Sequence, residues 1–96
     1  MIDSNTVLTR TERIRWTNVG DDIVLMDPEN ESYYQLNATA AVVWELADSK
    51  STVADMVREI CAGFECDPAT AEADVKELIG VLLERGLVQL SGGTPA

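Results

Sequence analysis

The chain has 96 residues, 46% of them hydrophobic, with 17 acidic and 7 basic side chains for a formal charge of −10. That size supports one domain around one modest core, and that apolar fraction excludes a disordered body. The charge excludes a phosphate-tracking surface, which needs clustered Lys and Arg. No run of sequence approaches the ~20 apolar residues that cross a bilayer, and Met1-Ile2-Asp3-Ser4-Asn5 lacks the basic start of a signal peptide. A cytoplasmic protein without membrane contact is expected.

In chain order, residues 1–9 are polar and aperiodic and are expected to be a flexible tail. Glu12 to Thr17 then alternates, with Ile14 and Trp16 on one face and Arg13 and Arg15 on the other, the pattern of a half-buried strand. Asn18-Val19-Gly20-Asp21 supplies turn chemistry, and Asp22 to Met26 reads as a second strand broken by Asp27-Pro28-Glu29-Asn30. Glu31 to Leu36 is the third strand. The two short connections imply an antiparallel meander.

Helical spacing begins at Ala38, with Asn37 placed to cap it, and ends near Asp48-Ser49, expected to be an interhelical turn. Thr52-Val53-Ala54-Asp55 has the pattern of a capping box and opens a second helix that Gly63 ends. Asp67-Pro68 places Asp at the N-cap and Pro at the first helical position of a third helix, and Gly86 stops it. Leu87 to Leu90 is a last extended piece. The order predicts an α+β, winged-helix-like fold, an N-terminal three-stranded antiparallel sheet followed by three helices, in one domain over 10–90 with a flexible tail at 91–96.

Catalytic apparatus is not visible. There is no histidine, no serine stands in a nucleophile elbow, and no glycine loop is built to cradle phosphate. Cys61 and Cys66 cannot supply the four or so N/S ligands of a structural zinc, so no metal or other cofactor is expected and the pair reads as ordinary thiols. The third helix carries only Lys76 and Arg85 among Asp67, Glu72, Asp74, Glu77 and Glu84, which argues against nucleic acid as a partner. Asp48-Ser49-Lys50 lacks the leucine of a carrier-protein phosphopantetheine site.

The ordered set Tyr33-Tyr34-Gln35-Leu36-Asn37-Ala38-Thr39-Ala40, Val43-Trp44-Glu45-Leu46, Ser51-Thr52-Val53 and Leu82-Leu83-Glu84-Arg85-Gly86-Leu87-Val88 resembles the PqqD-like domains. The likeness covers roughly residues 8–90. It implies a module that recognises the leader of a ribosomally made precursor peptide, which adds as a strand to the sheet edge and lies against the third helix. On that resemblance the peptide-binding residues are Glu31, Ser32, Tyr33, Tyr34, Gln35 and Leu36 on the strand, and Asp74, Val75, Leu78, Ile79 and Leu82 on the helix. Leu36 is expected to face inward with Tyr34, and Asp74 and Glu31 to meet cationic leader side chains.

With no enzyme domain in the sequence, the chain is expected to be a discrete, non-catalytic adaptor. Its partners would be the leader and a separate enzyme, a lasso-peptide leader peptidase being favoured over another modifying enzyme. Two alternatives stay open: a PqqD-type chaperone for a quinone-cofactor precursor, and a winged-helix interaction module that forms a homodimer through its sheet edge.

Overall fold

The computed structural model describes residues 2–64 and 66–91. Nine elements follow one another: β1 (Val7–Arg10), β2 (Arg15–Val19), β3 (Asp22–Asp27), β4 (Ser32–Leu36), α1 (Ala38–Glu45), β5 (Asp48–Thr52), α2 (Val53–Gly63), α3 (Pro68–Glu84) and β6 (Val88–Ser91). The strands form two antiparallel sheets of three, ordered β2-β3-β4 and β5-β1-β6. The fold is α+β as expected, and winged-helix-like describes it only loosely because of the second sheet.

The meander has the expected topology, but its first strand is Arg15–Val19 rather than Glu12 to Thr17, so Asn18 and Val19 are paired strand residues and not part of the turn. Tight turns set its register, pairing Trp16 with Leu25 and Leu25 with Tyr34, while Ile23 pairs with Leu36. Ile23, Leu25 and Leu36 thereby project into the core, and the sequence alternation has its physical cause in the pleat. Ile14 is buried as expected, but Trp16 stays 39% exposed because β2 is an edge strand and every residue in it is open to solvent. Its ring instead meets Trp44 edge-on at 6.2 Å, with Arg10 against both indoles.

Residues 7–9 are not a tail. Val7 to Arg10 is the central strand of the second sheet, flanked by β5 and β6, and Leu8 is wholly buried. Ser91 likewise belongs to β6, whereas 92–96 lie outside the described residues. The supposed interhelical turn at Asp48-Ser49 is also a strand. It has no apolar side chain and is held by pairing with β1, through a register shift at which Ser49 takes a positive φ of 71°. The Asp48 carboxylate accepts bonds from the Ser51 and Lys50 amides there, which lowers its pKa.

The helix starts follow local chemistry. Asn37 accepts from the Ala40 amide at 2.9 Å, Thr52 and Asp55 make both arms of the capping box, and Asp67 caps α3 with Pro68 at its start. Gly86, at φ 72°, turns the chain off α3 while the Leu87 amide reaches back to the Leu82 carbonyl. Val43, Trp44, Val53, Met56, Val75, Ile79 and Leu82 close one core between the helices and the sheets.

Candidate functional site

Among the described residues β4 is paired with β3 on one side only, so its other side offers unpaired backbone N–H and C=O groups. The turn before it is firmly built. Asp27, at the end of β3, is 1% exposed and accepts from Arg13 Nε and Nη2, both at 3.1 Å, from the Glu29 amide and from Asn30 Nδ2 at 2.8 Å. The Arg13 guanidinium, aided by the Asn30 bonds, outweighs burial and holds the Asp27 carboxyl well below the usual carboxylate range. Glu31 follows at φ 52°, a turn position that starts β4. Sequence reading treated Arg13 as a solvated face residue and Asp27 to Asn30 as a plain break. The two segments form one ion-paired turn instead.

Along β4 the faces alternate. Ser32 and Tyr34 are half-buried and Leu36 is buried, while Tyr33, 72% exposed, and Gln35 point away from the core. Leu36 and Tyr34 therefore face inward, as expected. Gln35 donates to the Asp22 carboxylate across the sheet at 3.0 Å.

α3 packs on α2, α1 and β6, and its C-terminal end reaches β4. Arg85, its C-cap, sits over the Tyr34 ring at 5.5 Å. At the other end Asp74 and Thr70 share a cavity of about 200 Å³ with Thr39 of α1, Phe64 and Cys66. The chain from β4 into α1 thus runs alongside α3 in the opposite direction. The helical repeat places Asp74, Leu78, Val81 and Arg85 in one row, and Arg85 fixes that row toward β4. Leu78 is half-buried and Val81 is 42% exposed, so the row is an apolar strip with a carboxylate at one end and a guanidinium at the other.

The α3 residues named from sequence divide accordingly. Val75, Ile79 and Leu82 are at most 2% exposed and pack in the core, one row further round the helix, so they cannot line an open groove. Asp74 is exposed next to the start of α1, and Leu78 is half-buried on the row that Arg85 ends. Sequence reading missed Val81 and Arg85, which lie three and seven positions beyond Leu78; that spacing was the available signal. Glu31 and Asp74 are exposed and make no ion pair among the described residues.

Other chemistry is sparse. Cys61 and Cys66 are free thiols with sulfurs 3.2 Å apart, and Cys61 with partial burial pushes the Cys66 thiol up. Among the described residues no group of three His, Cys, Asp or Glu is placed to hold a metal, and no helix is long and apolar enough to cross a membrane.

Fold and site together define a small α+β binding domain, an open strand edge beside a half-apolar helical row. Residues 22–88 match the family described as Coenzyme PQQ synthesis protein D (PqqD). The chain is 32% identical to the PqqA binding protein of Xanthomonas oryzae pv. oryzae over 92% of its own length and 94% of that protein. It is 28% identical to the bifunctional coenzyme PQQ synthesis protein C/D of Methylorubrum extorquens, matching 85% of this chain and 22% of that one. The fold superimposes with a TM-score of 0.76 on a lasso peptide synthetase B1 complexed with the leader peptide, at 26% identity, covering 85% of this chain and 96% of that chain. TbiB1 in complex with the TbiA(beta) leader peptide shares the fold, also at TM-score 0.76, with 23% identity over 91% of this chain and 99% of its own. The chain belongs to the PqqD family.

Proposed function

We propose that this chain is a non-catalytic adaptor that binds the leader of a ribosomally made precursor peptide and presents it to a separate maturation enzyme. The observation that carries the reading is the open β4 edge with Arg85 of the α3 row over Tyr34, in a family with a relative named a PqqA binding protein and with the fold of a synthetase complexed with a leader peptide. A disordered leader docks there by adding a strand: main-chain bonds to β4 supply affinity, and alternate side chains reach the helical row. Its ordering costs entropy, so the net affinity is well below the gross contact energy. Of the residues named from sequence, Ser32, Tyr33, Tyr34, Gln35, Asp74 and Leu78 border the groove and Glu31 flanks it. Leu36, Val75, Ile79 and Leu82 support it from the core.

The enzyme served, on this reading, is a leader peptidase of lasso-peptide maturation. A quinone-cofactor precursor is the second reading, favoured by the identity to the PqqA binding protein along nearly its whole length. The test is fluorescence anisotropy of two labelled peptides, a PqqA-type precursor and a candidate leader encoded by any short precursor gene found beside this one. Saturable micromolar or tighter binding of one of them, retained at raised salt, supports strand addition and selects between the readings. Failure of both with folded protein would sink the adaptor role.

Leu78 is already half-buried against the core, so completing its burial under a peptide is worth about half of the 1.5–3 kcal/mol of a full transfer, and Leu78→Arg should weaken binding about three- to tenfold. The same half-burial means that the thermal midpoint should fall modestly as well. Ile79→Ala, in the core, should instead destabilise the fold by about 2–5 kcal/mol.

A further inference from the structure

Resting on the leader-binding reading, we propose that the groove selects the charge order of its peptide: a Lys or Arg first, apolar side chains next, then an Asp or Glu. Asp74 and Arg85 bracket the half-apolar row formed by Leu78 and Val81. Neither makes an ion pair among the described residues, and both side chains are exposed. Arg85 is fixed over Tyr34 by its contact with the ring, so its charge is presented at a defined place along β4.

Direction follows from topology. Both neighbouring strand pairs in this sheet are antiparallel, and an added strand that continues the pattern runs opposite to β4. β4 passes Arg85 at Tyr34 and ends at Leu36, and the chain then enters α1, where Thr39 lies beside Asp74. A peptide running opposite to β4 therefore passes Asp74, beside the start of α1, before it pairs with β4 near Arg85. The two residues are eleven positions apart, about 16 Å along a helix. A strand covers that distance in about five residues. Side chains two apart share a face, so cation and anion four or six positions apart fit, with one or two apolar side chains between them on that face.

The selection is not for net charge alone. Glu77 and Glu84 lie on the outer face of α3 beyond the row, and with Glu31 they bias the surroundings toward cationic peptide. Arg85 is the one cation in the row itself, and it distinguishes a peptide with an acid at its far end from one that is merely basic. Exposed pairs of this kind give small individual gains, so the expected discrimination is modest and additive to the apolar contacts.

The experiment is a double-mutant cycle by anisotropy, using whichever labelled peptide binds in the preceding test. Asp74→Asn and Arg85→Gln are each combined with alanine at the leader's cation or anion. Each single change should weaken binding about two- to fivefold. Asp74→Asn should add nothing once the cation is gone, and Arg85→Gln nothing once the anion is gone, while a leader with the two charges exchanged should bind worse than either alanine variant. Strictly additive losses, equal binding of the exchanged leader, or a tight-binding leader that lacks this charge pair would overturn the proposal while leaving the adaptor role standing. Binding of neither peptide would overturn both.

Discussion

Asp27 holds the turn on which the candidate site depends. Its carboxylate receives Arg13 and the Asn30 side chain while almost fully shielded from water. Since its folded pKa is lowered, it contributes stability above the ordinary aspartate value of 3.8, and that contribution is lost as pH falls below it. Asp27→Asn should therefore lower the thermal midpoint at pH 7 by leaving Arg13 without its main partner. The gap between variant and parent should shrink as the pH is taken below about 4, where Asp27 of the unfolded parent takes up a proton while the folded carboxylate, its pKa lowered, stays ionised. Equal gaps at pH 7 and pH 3, followed by circular dichroism, would mean that the ion pair contributes little.

Elements differ in how far their own residues determine them. α2 begins where Thr52 and Asp55 exchange hydrogen bonds with each other's backbone. Thr52→Ala should cost about 1 kcal/mol, a fall of about 4–8 °C in the midpoint for a domain of this size; a shift under 1 °C would show that tertiary packing alone fixes the helix start. That start, and those at Asn37 and Asp67, were legible in the sequence because the capping chemistry lies within four residues. The meander was legible for a similar reason, its turns being two to four residues long. β1 and β5 were not. Val7 and Leu8 are a short apolar pair among polar neighbours, and Asp48 to Thr52 has no apolar residue at all; both are strands because they pair with segments some forty or eighty positions away. For the site, the tyrosine strand was readable, since Tyr34 and Leu36 had to share the inward face. The helical side was only half readable. Val75, Leu78, Ile79 and Leu82 span too wide an arc for sequence to say which row meets the core and which meets β4, and only the contact of Arg85 with Tyr34 orients the helix.

Across the whole molecule, the sheet β2-β3-β4 has two free edges with different surroundings. β4 is flanked by the α3 row, whereas β2 is exposed throughout and bordered by Arg13, Arg15 and Trp16. If two copies self-pair, as the homodimer reading proposes, β2 is the edge that leaves leader binding intact. Strand addition at β4 is the centre of the proposed function, and amide hydrogen exchange of the full chain, with and without saturating leader peptide, tests it most directly. Alternate amides within Ser32–Leu36 should gain strong protection on adding leader, with Arg15–Val19 unchanged. Protection appearing along β2 instead, or unaltered exchange at β4 with leader demonstrably bound, would contradict the assignment of the binding edge.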